Sequence, residues 1–182
     1  MIQFARILLT YWARSAIRHP RTRAVHGLVA VSLAAGLAHA QSSGGWRLIR
    51  TANPHGGADS VSVAHTADTT RSDIDLAGLM LRCAQAGAEV LIVVVSPFPP
   101  RATPSITIRS NGNEWRFSAR IVSPGAELLL PAEAIDLAVG PWKSAHELAV
   151  DVASPERSFG GVIPIDGIDV ALTTLAANCP PG

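Results

Sequence analysis

The chain has 182 residues, of which 15 are basic, 14 are acidic and 48% are hydrophobic. This length suits one domain with a substantial core and leaves little room for two. Five basic and no acidic residues lie in the first forty positions, so the remainder holds ten basic and fourteen acidic residues, a net charge of −4. An acidic domain with one lysine gives no electrostatic basis for binding nucleic acid or an anionic membrane.

Residues 1–40 have the three-part pattern of a secretory signal peptide. Five arginines form a long basic region, Leu28–Leu37 is apolar, and Ala38-His39-Ala40 matches an A-x-A cleavage site before Gln41. The apolar segment is too short to span the ~30 Å hydrocarbon core of a bilayer, and no cysteine follows it directly to carry a lipid. We expect a helical signal peptide and export of residues 41–182, as a single β-rich domain, to the bacterial periplasm or, by secretion, to the outside of the cell. No stable membrane span is expected after cleavage.

The chain has two cysteines, Cys83 and Cys179, and both lie beyond the predicted signal peptide. In an oxidising compartment two such cysteines most simply form one disulfide. A redox-active pair would usually have C-x-x-C spacing and a reactive thiol at the start of a helix. We therefore predict a structural bond that ties the last helix to the middle of the core.

Most of the exported part is predicted to form β-strands. The unbroken apolar run Val90–Val95 indicates a central strand that is covered on both faces. In the first strand, Trp46 and Leu48 are expected to face inward. Thr66–Asp75 lacks apolar periodicity and is predicted to be an exposed loop, and the prolines of Pro97–Pro104 predict an extended crossing. The predicted strands are Trp46–Arg50, Val61–His65, Leu76–Cys83, Ala88–Ser96, Ser105–Ser110, Asn113–Ile121, Glu127–Leu130, Glu147–Ala153 and Phe159–Ile165.

A hairpin centred on Asn111-Gly112 is the clearest local signal. Asn-Gly between alternating runs favours a type I′ turn. Closing the hairpin there pairs Arg109 with Glu114, Ile108 with Trp115 and Ile106 with Phe117. All apolar side chains then share one face, which supports this register.

Two helices are predicted. Ala132–Val139 is short, and the second helix closes the chain, with Asp166 as its N-cap. Its apolar stripe comprises Ile168, Ala171, Leu172, Leu175, Ala176 and Cys179. Together these elements predict a mainly β fold, an antiparallel β-sandwich or curled sheet with a C-terminal α-helix.

No catalytic, cofactor-binding or metal-ligating set is evident. The histidines of the exported part, His55, His65 and His146, lack the spacing of a metal site, and no nucleophile or phosphate-loop motif occurs. The aspartates of the Thr66–Asp75 loop lack the spacing of a calcium-binding loop. We therefore predict no cofactor.

Four residues are candidate partner contacts. Trp142 lies in a polar stretch, where an exposed tryptophan can anchor a partner and a buried one would fold over the end of the core. Arg109, Arg116 and Arg120 are expected to form a basic stripe on the outer face of the hairpin. Such a stripe would receive an acidic partner or would protect a sheet edge by charge.

The chain resembles VasI-like periplasmic proteins associated with type VI secretion. The resemblance rests on Trp46, the strand Leu79-x-Leu81-Arg82-Cys83, and a closing segment with Asp166-Gly167-Ile168, Ala171-Leu172, Leu175 and Cys179. The middle of the chain departs from that family, because its Ser-Thr-Asp turn is missing and the proline crossing differs. The resemblance implies an exported, β-rich accessory protein with one disulfide and no catalytic role.

We therefore expect a periplasmic binding or accessory protein whose partner is another envelope protein. One alternative is a hydrolase with a site assembled from separated residues, for example His146 with Glu147 or Asp151. Another is an inhibitor that contacts an envelope enzyme through the proline-rich loop 97–104.

Overall fold

The computed structural model describes residues 45–53, 56–85, 87–122 and 124–180. The predicted signal peptide lies outside these residues. Two antiparallel sheets, of six and four strands, pack together with a C-terminal helix. This arrangement confirms the predicted mainly β class and decides between the two predicted forms in favour of packed sheets.

The larger sheet has the strand order β1-β2-β3-β4-β8-β7. The predicted central apolar strand is β4, which lies between β3 and β8. Four of the residues Val90–Val95 are buried, but Val95, which follows the strand, is exposed. The strands of this sheet are β1 (Arg47–Thr51), β2 (Ser60–Thr66), β3 (Leu76–Ala84), β4 (Gly87–Val94), β7 (Arg120–Val122) and β8 (Glu127–Leu129).

The smaller sheet has the strand order β10-β9-β5-β6. Its strands are β5 (Ser105–Ser110), β6 (Asn113–Ser118), β9 (Glu147–Ala153) and β10 (Ser158–Pro164). In β9 alternate residues are buried, as predicted from the period of two. The last strand, β10, is an edge strand, which suits its proline.

The main core lies between the sheets and beneath the helices. It is filled by inward-facing aliphatic residues of both sheets together with two tryptophans. A second, smaller cluster lies on the opposite face of the larger sheet, because Met80 and Leu91 alternate with core residues along β3 and β4. The largest fully buried side chains are Trp46, Trp142, Leu79, Leu81, Leu91, Ile92, Ile106, Ile108, Leu128, Leu148, Ile163 and Ile165.

The start of the larger sheet differs from the prediction. Trp46 is buried as expected, and its indole Nε1 donates to the backbone oxygen of Asp166 at 3.0 Å. Leu48, however, is exposed. β1 is an edge strand of its sheet, and all five of its residues are exposed. The inward face that the alternating pattern predicted for Leu48 was therefore wrong.

The β5–β6 hairpin has the predicted register throughout, from Ser110 opposite Asn113 to Ile106 opposite Phe117. Asn111 and Gly112 both have positive φ, at 49° and 77°, as a type I′ turn requires. The strand predicted to run to Ile121 instead ends at Ser118. Its continuation, β7, belongs to the other sheet, so the chain changes sheets at the buried Ala119.

Residues 67–75, which we call the strap, connect β2 to β3 and cover the outer edge of β10. The strap donates from the amides of Asp68 and Asp73 to the carbonyls of Val162 and Gly160, at 2.8 and 2.9 Å. Ser72 Oγ accepts from the Val162 amide at 2.9 Å. The segment is a largely exposed loop, as predicted, and its backbone and side chains complete the hydrogen bonding of an edge strand, which the sequence did not indicate.

Helix α1 spans Ala134–Val139, a 3-10 helix spans Pro141–Ser144, and helix α2 spans Ile168–Asn178. Neither α1 nor α2, the two α-helices among the described residues, is long and apolar enough to cross a bilayer.

Two details of α2 differ from the prediction. Its N-cap is Gly167, in the left-handed conformation with φ of 76°, and not Asp166. Asp166 lies one position earlier, where its side chain faces His146. Ala176 of the predicted apolar stripe is exposed, whereas Ile168, Ala171 and Leu175 are buried.

The predicted disulfide is present. Cys83 at the end of β3 and Cys179 just after α2 are bonded, with their Cα atoms 5.7 Å apart. The bond joins positions separated by 96 residues. It therefore ties the C-terminal helix to the middle of the larger sheet, and it indicates an oxidising compartment.

Candidate functional site

A large groove lies where the helices meet the end of the larger sheet. It has a volume of about 1380 Å³. Four segments form its walls: the connection from β1 to β2, the β3–β4 turn, α1 with the 3-10 helix, and α2 with the residues that follow it. We call this cavity the helix groove.

The helix groove is lined mainly by apolar side chains. Ile135 and Val139 come from α1, and Leu172 and Ala176 come from α2. Val139 is 48% exposed, which is high for a valine on a helix that also contributes buried residues to the core. The groove therefore presents apolar surface to solvent between two helices.

The disulfide forms part of the groove wall. Cys83 and Cys179 are both half-buried and both line the cavity. Because the bond joins β3 to the end of α2, it holds two of the four wall segments at a fixed separation. The shape of the groove thus depends on this covalent link.

Three charged side chains lie on different walls of the groove. They are Lys143 on the 3-10 helix, Asp59 before β2 and Asp169 in the first turn of α2. None of the three forms a side-chain hydrogen bond or ion pair with another described residue. The groove therefore has one positive and two negative side chains on different walls, beside its apolar lining residues.

A smaller pocket of about 370 Å³ adjoins the helix groove. The two cavities share Ala84, Ala88 and Ile135. The smaller one extends toward Arg120, whose guanidinium has no partner among the described residues. The two cavities therefore lie on either side of the same three residues, two of which flank the β3–β4 turn.

The three arginines predicted to form a stripe lie in different sheets. Arg109 and Arg116 are in the hairpin, where both form ion pairs with Glu114 and Arg109 also pairs with Asp151. Arg120 is in β7 of the larger sheet. The expected single stripe on the hairpin was therefore wrong, because the chain changes sheets between Arg116 and Arg120.

Trp142 is fully buried, with 0% of its surface exposed. Its ring packs edge-on against Trp115, with centroids 6.4 Å apart. The expectation of an exposed partner contact at Trp142 was therefore wrong, and the alternative, a tryptophan folded over the end of the core, is what the structure shows. Its Nε1 is buried without a hydrogen-bond partner among the described residues.

The residues considered for a hydrolase site form their side-chain hydrogen bonds and ion pairs with other residues. His146 Nδ1 lies 2.7 Å from Asp166 Oδ1, while Glu147 pairs with Arg71 and Asp151 with Arg109. The hydrogen bond and the charge of Asp166 raise the pKa of His146.

Two serine hydroxyls lie in this region, Ser144 nearby in the chain and Ser110 through its contact with Glu147, and both are hydrogen-bonded to the backbone. Ser110 donates to the carbonyl of Glu147 at 2.9 Å, and Ser144 donates to the carbonyl of Pro141 at 3.0 Å. A nucleophilic serine would instead donate to the histidine. The structure therefore places a histidine–carboxylate pair on the surface, and none of the serines that the structure describes is bonded to that histidine.

The three aspartates of the strap have separate partners. Asp68 accepts from Thr70 and Arg71, and these bonds lower its pKa to about 2. Asp73 accepts from the Gly160 amide at 2.7 Å, and Asp75 accepts from Ser96. Among the described residues, no group of three or more His, Cys, Asp or Glu side chains is placed to hold a metal ion.

The proline-rich loop 97–104, predicted as an extended crossing, contains no strand. Phe98 is buried, and the guanidinium of Arg157 stacks 3.9 Å from its ring centroid. Pro99 and Arg101 are exposed. Internal contacts thus anchor the loop at Phe98 and leave its centre on the surface.

Sequence reasoning missed the helix groove. Its walls come from residues near 51–60, 83–88, 135–143 and 169–180, which are far apart in the chain. The two cysteines were the sequence feature that pointed to this groove, because pairing Cys83 with Cys179 places β3 beside α2.

Comparisons with family models, with curated proteins and with solved structures found no match to this chain. The resemblance to VasI-like proteins therefore stays a prediction.

Proposed function

We propose that this protein is an exported binding protein of the bacterial periplasm that holds an apolar segment of another envelope protein in the helix groove. The observation that carries the proposal is the groove itself, with Val139 exposed on one helix and the disulfide in the opposite wall. Surface of this kind is typical of sites that receive a helix or an extended apolar segment.

Two observations support export. The disulfide indicates an oxidising compartment. The first forty residues combine five arginines, an apolar segment and an A-x-A site, which together are typical of a signal peptide.

The dimensions of the groove favour a polypeptide over a small metabolite. Pockets for small ligands usually have volumes of roughly 300–1,000 Å³ and enclose most of the ligand, whereas this cavity measures about 1380 Å³ and is open to solvent. Lys143 and Asp169 on different walls suit a segment that carries both charges beside its apolar residues. An accessory role is also what the resemblance to VasI-like proteins implies.

The proposal is tested by photo-crosslinking in the native host. A photoreactive phenylalanine replaces Val139 in the groove or, as a matched control, Val170, which is 45% exposed on the outer side of α2 and does not line the groove. We expect one envelope protein to be crosslinked from position 139 and not from position 170, with the adduct identified by mass spectrometry.

A second variant tests whether the groove surface is required. Ala176→Glu places a carboxylate in the groove wall at an exposed position and should remove the adduct formed from position 139 while the protein stays folded. The same adduct from both positions, or no adduct from position 139, would contradict the proposed function.

A further inference from the structure

The sandwich has four edge strands, and three of them are protected. β10 is covered by the strap, whose backbone and Ser72 satisfy Gly160 and Val162. β6 carries the ion pair of Glu114 and Arg116 on its exposed residues. β7 is only three residues long. Cover, charge and short length are the usual ways in which proteins prevent edge strands from pairing.

Among the described residues, the fourth edge strand, β1, has none of these protections except charge. It has five residues, it pairs with β2 on one side, and all five side chains are exposed. Leu48 is 39% and Ile49 41% exposed, on opposite faces of the strand. An edge with apolar side chains on both faces is a template for an added strand.

The charge on this edge is entirely positive. β1 contains Arg47 and Arg50, and neither β1 nor β2 contains a carboxylate. Arg50 donates to Asn178 Oδ1, whereas Arg47 has no partner among the described residues. Alternation places the two arginines on opposite faces of the strand.

These charges favour one kind of occupant over another. Pairing of two β1 strands would bring four arginines together at one junction, and like charges at such a junction are destabilising. An extended segment with alternating carboxylates would meet an arginine whichever face its acidic residues occupy.

We propose that the β1 edge is a second binding site, which adjoins the helix groove only at Thr51 and which adds an extended acidic segment of a partner protein as a further strand of the larger sheet. Backbone hydrogen bonds hold the segment, and Arg47 and Arg50 select for acidic residues.

The test uses the exported protein and two labelled, end-blocked hexapeptides, one of alternating Glu and Val and one of alternating Lys and Val. Fluorescence anisotropy at low salt measures their affinities. We expect the acidic peptide to bind at least fivefold more tightly than the basic one, about the effect of one exposed ion pair. Amide exchange of β1 should slow in its complex.

Matched variants locate the site. Arg47→Glu should weaken binding of the acidic peptide by about fivefold, while Arg101→Glu, at an exposed arginine in the proline-rich loop, should leave it unchanged. Val139→Glu should also leave it unchanged, so that this site and the helix groove can fail independently.

Several results would overturn the inference. They are equal affinity for the two peptides, no detectable binding of the acidic one, and acidic-peptide binding that Arg47→Glu does not alter. A dimer that forms through β1 and is lost in Ile49→Asp would show that a second copy, and not an acidic segment, occupies this edge.

Discussion

Individual side chains were hardest to place where their partners come from distant parts of the chain. Trp142 stands between Pro141 and Lys143, which give no local sign of burial, yet Trp115 of the hairpin packs on it. Asp166 has the spacing of an N-cap, but it contacts His146 and accepts from Trp46 instead. In both cases tertiary contacts override a local preference.

The contact of His146 with Asp166 predicts a pH dependence. Because the folded pKa of His146 is raised above its usual value of 6.5, the contact stabilises the fold at pH values below 6.5. This contribution is lost as the pH rises through the folded pKa. Titration of the His146 ring by NMR should give a raised pKa that falls in Asp166→Asn.

Asp169→Asn is the control for this titration, because Asp169 also lies near the start of α2 but does not contribute to the pKa of His146. An unchanged His146 pKa in Asp166→Asn would show that the contact is absent in solution.

Strands and turns were predictable where their determinants are local. The Asn111-Gly112 turn fixes the register of the β5–β6 hairpin, and every predicted pair is present. The change of sheets at Ala119 was not predictable, because it depends on which sheet has room for β7. The strap was predicted as an exposed loop, but its hydrogen bonds with β10 were not predicted, because they depend on how the two sheets pack.

The strap explains why position 161 of β10 is a glycine. A Cβ atom on Gly161 would lie 2.2 Å from Ser72 Oγ and 2.5 Å from Ser72 Cα. Gly161→Ala should therefore push the strap away and reduce the free energy of unfolding by about 1–3 kcal/mol, measured by urea denaturation.

Amide exchange provides the internal control for Gly161→Ala. The amides of Asp68 and Asp73 should exchange faster in the variant, while those of the β5–β6 hairpin should be unaffected. Unchanged protection of the strap amides would mean that the strap does not pack closely on β10.

The fold class and the disulfide of the β-rich domain could be predicted together from the sequence. Two cysteines beyond a signal-peptide pattern, one in a strand and one at a helix end, lead to a single pairing. The helix groove could not be predicted, because its four wall segments meet only after both sheets and both helices are packed.

The disulfide connects two walls of the helix groove covalently, because it links β3 to the end of α2. A bond that closes a loop of this length should stabilise the folded protein by about 4–5 kcal/mol, chiefly by restricting the unfolded chain. Reduction of the native protein should have the same effect as replacing both cysteines.

Urea denaturation of the oxidised protein and of its Cys83→Ser, Cys179→Ser variant measures this contribution to the free energy of unfolding. If the disulfide ties α2 to the larger sheet, the free energy of unfolding should be about 4–5 kcal/mol lower in the variant, and the amides of α2 should exchange faster. Equal free energies of unfolding, with α2 equally protected in both proteins, would contradict it.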